Sequence, residues 1–367
     1  MQRSRMGSAV FCLGLLVIAA PAGAESSVDY GPPTSQCTIT DPEIDELSGL
    51  AALPSGDLLL VEDSAPEPRP GATSVLMYRL DSTCAVQDGV VEFDQDPRDI
   101  EDLAFQDNTV WFADIGDNSQ TRPNVALISV GYDAAVPQGQ ADAPVVFRLG
   151  YPDGPHDAEA LLLAPDGIPY IVTKELSGRS VVYRPAGPLD PSAEVGLEKV
   201  AELEFTMTGT PGGPVGRAGQ LLVTGGTVAA DRSRIALRTY TDAYVWTLAD
   251  NDVARALQSD PIAVIALPDA PQGEAISFAP DSRSLLVGSE GVNSVITAVP
   301  ATSPPEQTQT DTAGRADPGA GTASADRAAP DSASSEVTAG LIAVAMVAVV
   351  AGATWLARRI RRNSSPR

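Results

Sequence analysis

Pairs of polar residues with one spacing recur along the sequence and indicate a site for a charged ligand. The pairs are Asp99 and Glu101, Asp157 and Glu159, and Gln272 and Glu274. Residues two apart on a β-strand point to the same side of that strand. If the strands that carry these pairs converge, their carboxylates crowd together, which raises their pKa values unless a cation neutralises them.

A second acidic motif is Asp-Ile-Gly-Asp-Asn at residues 114–118, in which the glycine permits a tight turn between oxygen-bearing side chains. Oxygen ligands without histidine pairs or thiolates suit Ca²⁺ or Mg²⁺ and not zinc. The motif does not have the full spacing of an EF-hand loop. We therefore expect a divalent cation, and the alternative is that these carboxylates only cap turns and strand ends. The candidate ligands are Asp99, Glu101, Asp114, Asp117, Asp157, Glu159 and Glu274.

Two rarer residues are candidates for proton transfer. His156 is the single histidine of the chain and precedes Asp157, and Lys174 is one of two lysines. Histidine exchanges a proton near neutral pH, so His156, Glu159 and Lys174 form the candidate catalytic set. The alternative is a solvated histidine and a lysine that only balances charge. No nucleophile elbow, P-loop, dinucleotide-binding glycine run or metalloprotease helix motif occurs in the sequence, so whether the protein is an enzyme stays open.

The elements that must position these residues come from an internal repeat. Five segments each read as a short apolar strand, a turn rich in Pro, Asp, Gly and Ser, and a second apolar strand, which is typical of a β-hairpin. They are residues 46–63, 99–114, 157–175, 222–239 and 272–290. Aligned on their turns, they place five residues at one equivalent position, about 50 to 65 residues apart, a spacing that fits propeller blades. These residues are Ser48, Glu101, Glu159, Thr224 and Glu274.

Further strand candidates between the hairpins allow four strands in each repeat. The sequence therefore predicts an all-β protein, a β-propeller of about five four-stranded blades, with six blades and a pair of packed β-sandwiches as alternatives. The last repeat is short, and residues 37–40 are expected to supply its outer strand and close the ring. Acidic positions at the start of each first strand and the end of each second strand then meet at one mouth of the central channel.

Of three cysteines, Cys12 lies in an apolar N-terminal stretch and two remain in the domain. Outside the cell, such a pair is most simply a disulfide, so we expect Cys37 to bond to Cys84. The alternative, a catalytic thiol, needs a base, and His156 is the sole histidine.

The two ends of the chain carry membrane signals. Residues 1–24 combine arginines, a short apolar stretch and Ala-Gly-Ala, as in a cleaved signal peptide, with a retained anchor and a lipoprotein as alternatives. Residues 337–357 form an uncharged apolar run, long enough at about 1.5 Å per residue to span about 30 Å of hydrocarbon. The arginine-rich residues 358–367 should stay in the cytoplasm. We therefore expect a single-pass membrane protein of the cell surface, with the domain at 25–300 outside and the stalk at 301–336 disordered.

The formal net charge is −24, and of the 24 lysines and arginines two lie in residues 1–24 and five in residues 358–367. An acidic exported domain argues against nucleic acid and against docking on anionic lipid. Contact with the membrane is expected through the C-terminal helix only. The expected partner is a small ligand or another surface or extracellular protein.

Several of these motifs resemble those of secreted, membrane-anchored bacterial β-propeller proteins. They are Ser-Gly-Leu-Ala at 48–51, Asp-Ile-Glu-Asp-Leu-Ala at 99–104, Asp-Ile-Gly-Asp-Asn at 114–118, Asp-Ala-Glu-Ala-Leu at 157–161, Thr-Lys-Glu at 173–175 and Gln-Gly-Glu-Ala-Ile at 272–276. More distantly, the chain is similar in fold to calcium-dependent propeller lactonases and phosphotriesterases. That likeness implies Ca²⁺ as the cation and transfers no reaction, because one fold supports many functions.

The first hypothesis for function is a membrane-anchored binding module of the cell surface whose acidic channel mouth holds a divalent cation. The alternative is a cation-dependent hydrolase of esters, lactones or phosphoesters, in which metal and carboxylates activate water. A third possibility is a spacer whose acidic surface serves solubility alone.

Overall fold

The structure, a computed structural model, describes residues 28–63, 74–87, 91–94, 97–133, 135 and 140–302. The predicted signal peptide, transmembrane helix and basic tail lie outside the described residues, as does the predicted stalk beyond Thr302. In the part of the chain that is described, no helix has the length and apolar character needed to cross a membrane.

The strands form five four-stranded antiparallel units, which we call blades 1 to 5 in the chain order of their inner strands. From the channel outward, blade 1 contains β3 (Leu47–Ala52), β4 (Leu58–Glu62), β5 (Ser74–Leu80) and β6 (Val91–Asp94). Blade 2 contains β7 (Ile100–Gln106), β8 (Thr109–Asp114), β9 (Val125–Asp133) and β11 (Val145–Gly150). Blade 3 contains β12 (Ala158–Leu163), β13 (Pro169–Thr173), β14 (Arg179–Pro185) and β15 (Val195–Glu204). Blade 4 contains β16 (Val223–Val228), β17 (Arg234–Thr239), β18 (Asp242–Thr247) and β19 (Ala263–Ala266), and blade 5 contains β20 (Gly273–Phe278), β21 (Leu285–Ser289), β22 (Val295–Val299) and β2 (Thr34–Thr38).

Short elements complete the fold. Strand β1 (Asp29–Tyr30) pairs with β23 (Ala301–Thr302), which brings the two ends of the described chain together, and β10 (Gln140–Ala141) extends β9. The outer strands β11 and β15 form a short parallel pair that joins blades 2 and 3. A 3₁₀-helix at Gly216–Gln220 precedes blade 4, and helix α1 (Val253–Leu257) connects two of its strands.

The blades form a closed ring, as a β-propeller requires. The inner strands contact one another in the order β3, β7, β12, β16, β20 and again β3. Apolar clusters fill the spaces between neighbouring blades around the whole ring; Phe112 lies between blades 1 and 2, Trp246 between blades 3 and 4, and Phe278 between blades 4 and 5. The described residues thus confirm an all-β propeller fold, and the repeat in the sequence corresponds to its blades.

The ring is closed by a strand from the N-terminal side of the domain, as the short last repeat predicts. Strand β2 pairs with β22 and forms the outer strand of blade 5. Cys37, in this strand, is bonded to Cys84, which lies in the loop after β5 of blade 1. The predicted disulfide is confirmed, and it joins the first blade to the last.

A β-bulge interrupts the inner strand of every blade at the equivalent position of the repeat. The register shifts fall between Leu47 and Gly49, Ile100 and Asp102, Ala158 and Ala160, Val223 and Gly225, and Gly273 and Ile276. Bulges turn a side chain away from the regular alternation of the strand. Each inner strand therefore presents one side chain that regular pairing would direct elsewhere.

Candidate functional site

The five bulged residues divide by side-chain length. Short hydroxyl side chains bind the next blade: Ser48 Oγ donates a hydrogen bond to the Glu101 carbonyl, and Thr224 Oγ1 donates to the Gly273 carbonyl at 3.0 Å. At the other three positions, Glu101, Glu159 and Glu274 carry carboxylates and are each 3 % exposed. The bulges thus serve both to join blades and to bring acidic groups to the channel mouth, the face where first strands begin and second strands end.

Three carboxylates lie close enough together to hold one ion. Glu101, Asp157 and Glu159 each offer an oxygen, and these oxygens lie within 4.8 Å of one another. Because Ca²⁺ binds oxygens at about 2.3–2.6 Å, two ligands of one ion lie at most about 5 Å apart. Oε2 of Glu159 is buried and has no hydrogen-bond partner among the described residues. The donor set and this buried oxygen fit Ca²⁺ or Mg²⁺, and these three residues would hold the ion.

The electrostatics of the cluster are unfavourable without a cation. Burial, reinforced by the negative charges of Glu159 and Asp99, raises the pKa of Glu101 well above its usual value. Burial and the charge of Asp157 raise the pKa of Asp99 to about 7, against the opposing charge of Arg122. Burial also raises the pKa of Asp157. These carboxyls therefore retain protons at pH values where exposed ones are ionised, unless a positive charge replaces those protons.

Lys174 supplies one positive charge to the cluster. Its Nζ forms an ion pair with Glu159 Oε1, and it lies 5.3 Å from the centre of the Tyr240 ring. The Lys174 side chain is 13 % exposed and follows β13 directly. Burial lowers the lysine pKa, but the nearby carboxylates outweigh it and raise the pKa well above its usual value, so the ammonium stays charged.

Glu274 lies beside this group and belongs to a neighbouring polar network. Gln272 Nε2 donates to Glu274 Oε1 at 3.1 Å and to Glu290 Oε1 at 2.5 Å. Oε2 of Glu274 is buried and meets no hydrogen-bond partner within the described ranges. Oxygens of Glu290, Glu46 and Asp63 form a second acidic group at the channel mouth. Burial raises the pKa of Glu274, and the positive charge of Lys174 opposes that shift.

Asp114 and Asp117 hold the loop that borders the cluster. Asp114 Oδ1 accepts from the backbone N–H groups of Arg98 and Asp99 and pairs with Arg122 Nη2 at 2.9 Å. Asp117 Oδ2 accepts from Arg122 N at 2.7 Å, while Asp117 N donates to Asp157 Oδ1 at 2.8 Å. These bonds match the turn-capping alternative that the sequence left open, and Asp117 also binds Asp157, an oxygen of which belongs to the cluster.

A steric constraint explains why glycine occupies position 116 of this loop. A Cβ on Gly116 would overlap the carboxylates of Glu101 and Asp99. The loop backbone therefore passes directly against the acidic cluster, which a side chain at this position would prevent.

His156 forms a separate group at the edge of the mouth. Its Nε2 lies 3.1 Å from both Asp153 Oδ1 and the Tyr183 hydroxyl, and its Nδ1 lies 3.6 Å from Glu175 Oε1. The Tyr151 ring packs against it edge to face. Of the three candidate catalytic residues, Glu159 and Lys174 are therefore in direct contact, whereas the contacts of His156 are with these other side chains.

Two buried ionisable residues, Asp102 and Arg238, join the blades in a way that the sequence did not reveal. The Asp102 carboxylate accepts backbone hydrogen bonds from Leu103, from Leu161 of blade 3 and from Gly226 of blade 4. Arg238 Nη1, at the end of blade 4, donates to two carbonyls of blade 5, and burial lowers the pKa of Arg238 to about 10. Asp102 follows Glu101 in the motif at residues 99–104, but only the bulge shows that their side chains serve different purposes.

Comparisons with known proteins give similarity of structure only. No family model matches the chain, and no curated protein matches it. An aldose sugar dehydrogenase from Streptomyces coelicolor has 11 % identity and a TM-score of 0.40, covering 74 % of this chain and 98 % of the other. A glutaminyl cyclase from Myxococcus xanthus has 10 % identity and a TM-score of 0.40, covering 75 % and 97 %. A gluconolactonase from Xanthomonas campestris has 14 % identity and a TM-score of 0.37, covering 77 % and 99 %.

Proposed function

We propose that this protein is a binding module whose channel mouth holds a divalent cation, with Ca²⁺ as the first candidate. The observation that carries the proposal is the buried group of Glu101, Asp157 and Glu159, whose oxygens lie within 4.8 Å of one another. Within the described residues, Oε2 of Glu159 has no hydrogen-bond partner. A bound Ca²⁺ would supply a fixed positive charge to which an oxygen-bearing ligand could bind.

The test measures binding and stability on the purified full-length chain. Metal content is determined after purification, and melting is followed with chelator and with added Ca²⁺ or Mg²⁺. At about 100 times the dissociation constant, a ligand stabilises the native state by about 2.7 kcal/mol. That corresponds to a rise in melting temperature of roughly 5–10 °C for a domain of this size class.

Glu159→Gln removes one ligand charge, and Glu204→Gln makes the same change at an exposed position of β15. We expect the rise in melting temperature to be lost in the first variant and kept in the second. If no metal is bound and the melting temperature changes with neither chelator nor added cations, the site holds no divalent cation.

We also propose that the domain is displayed on the outer face of a membrane. The support is the sequence: the apolar run at 337–357, the basic residues after it and the signal-like N-terminus. Deletion of residues 337–367 should release the domain from the membrane fraction into the medium. Retention of the truncated chain in the membrane fraction would contradict the proposal.

A second candidate function is hydrolysis, and the observation that favours it is the buried, unpartnered Oε2 of Glu274 beside the charge of Lys174. A carboxylate in this position can accept a proton from a water molecule that approaches the cation, and the cation makes such a water more acidic. The test is turnover of ester, lactone and phosphoester substrates by the wild type and by Glu274→Gln. Equal turnover by both would remove Glu274 from the reaction.

A further inference from the structure

The Lys174 ammonium lies among the carboxylates that would hold a divalent cation. Its ammonium contacts Oε1 of Glu159, the residue whose other oxygen is unpartnered among the described residues. The nearby charges of Asp157 and Glu274 also act on this ammonium. Lysine and a divalent cation would thus use overlapping sets of carboxylates.

The backbone and the side chain of Lys174 are constrained differently. Lys174 N donates to the Asp157 carbonyl at 3.0 Å, which fixes the backbone at the end of β13. The side chain is held by the Glu159 ion pair and the Tyr240 ring. The two residues that follow Lys174 are partly exposed to solvent, and Leu176 is 42 % exposed. The flexible four-carbon stem of lysine lets the ammonium move relative to this anchored backbone.

We propose that Lys174 is a built-in counter-cation that competes with the divalent cation for the carboxylates of the channel mouth and so sets the affinity of the site. This inference rests on the proposed function. The ammonium provides one positive charge for Glu159, Asp157 and Glu274, which is fewer than these three carboxylates carry when ionised. A monovalent ion adds no charge beyond that of the lysine it replaces, whereas a divalent ion does, so the arrangement favours divalent cations.

A lysine that only positions Glu159 and a lysine that competes with the cation predict opposite changes in cation affinity when Lys174 is replaced. If the lysine only orients Glu159 through Oε1, its removal weakens cation binding, because the second oxygen loses its fixed direction. If it competes, its removal strengthens binding, because a like charge close to the ion disappears. Buried charges a few ångströms apart interact strongly at an effective dielectric constant of about 20, so the competition should change affinity by at least about tenfold.

The experiment compares dissociation constants of Ca²⁺ and Mg²⁺ for the metal-free full-length chain, measured by calorimetric titration at fixed salt. Lys174→Met removes the charge with little change in shape. Lys199→Met makes the same change at the other lysine, which pairs with Glu202 on the surface. Lys174→Arg keeps the charge, and Lys174→Gln keeps a hydrogen-bond donor for Glu159 in case the methionine variant does not fold.

We expect Lys174→Met and Lys174→Gln to bind Ca²⁺ at least about tenfold more tightly than the wild type and than Lys174→Arg, and Lys199→Met to stay within about threefold of the wild type. The rise in melting temperature on adding Ca²⁺ should be larger in the two uncharged variants. Equal or weaker binding by both uncharged variants, with measurable binding by the wild type, overturns the role of Lys174 and leaves the cation site intact. Absence of binding in all five proteins overturns the cation site itself, and the role of Lys174 with it.

Discussion

Replacing Asp102 by alanine tests whether a single buried carboxylate holds three blades together. Asp102 is 1 % exposed, and its Oδ1 accepts from Leu103 N at 2.8 Å. Its Oδ2 accepts from Leu161 N at 2.8 Å and from Gly226 N at 3.1 Å, in the inner strands of blades 3 and 4. Alanine leaves these three backbone donors without their acceptor in the interior of the ring.

The expected magnitude follows from the two bonds that cross between blades. A buried donor left without its acceptor costs about 1–3 kcal/mol, so the loss of these two bonds lowers the free energy of unfolding by about 2–6 kcal/mol. For a chain of this size class, a change of 1 kcal/mol shifts the melting temperature by roughly 2–4 °C. Asp102→Ala should therefore melt at least about 4 °C below the wild type. The assay is thermal melting of the full-length chain followed by circular dichroism.

Asp102→Asn separates two states of this carboxyl. Burial raises the pKa of Asp102, while its three backbone hydrogen bonds oppose that shift. If Asp102 is ionised, asparagine turns an N–H group toward a backbone N–H and costs about 1–3 kcal/mol; if Asp102 is protonated, asparagine costs much less. Asp260→Ala, at an exposed position, is the control. Melting of Asp102→Ala within about 2 °C of the wild type would refute the role of Asp102 as a link between blades.

Three further predictions concern the disulfide, the acidic cluster and the loop beside it. Replacing Cys37 and Cys84 by alanine should lower the free energy of unfolding by about 4 kcal/mol, because the disulfide closes a segment with a sequence separation of 47 residues. Denaturant titration measures this change in free energy, and an unchanged midpoint would contradict the prediction. The folded-state pKa of about 7 for Asp99 exceeds its usual 3.8, so the stabilisation from its proton is full below pH 3.8 and is lost as the pH rises to about 7. The melting temperature of the calcium-free chain should therefore fall between about pH 4 and about pH 7, and saturating Ca²⁺ should reduce that fall. A flat profile in chelator would contradict the shift. Gly116→Ala places a methyl group against the acidic cluster and should weaken Ca²⁺ binding at least about tenfold in a calcium titration, whereas Gly187→Ala, in open space, should bind as the wild type does.

The blade repeat was predictable because residues close together in the sequence determine each hairpin. Turn residues at a fixed place between two apolar strands mark each hairpin, and the five aligned residues from Ser48 to Glu274 all lie at the bulge of an inner strand. The closing strand and the disulfide followed from the short last repeat and from the two cysteines of the domain. These features depend on neighbours in sequence or on counting, which a sequence alone supplies.

Which acidic residues join the cluster and which bind the neighbouring loop could not be predicted in the same way. Asp114 and Asp157 both lie at strand ends and both were candidate ligands, yet Asp114 is engaged by Arg122 and by backbone N–H groups, whereas an oxygen of Asp157 joins the cluster. The difference depends on the position of Arg122, which lies eight residues after Asp114 and pairs with its carboxylate. No local sequence pattern predicts that contact. The assignment of the seven acidic residues as metal ligands remains a prediction that binding experiments must test.

The bulge explains how one repeated position came to serve two purposes. At a bulge the backbone offers an unpaired side chain at the surface where neighbouring blades meet. A serine or threonine there is short enough to bind the next blade, as Ser48 and Thr224 do. A glutamate extends its carboxylate past that contact into the channel mouth, as Glu101 and Glu159 do. Because the bulges remain when the residue changes, substitution at this position alters the charge at the mouth while the strand geometry stays the same. The site is thus adjusted through single residues on a fixed frame, which is why Glu159 and Lys174 are the most informative positions to vary.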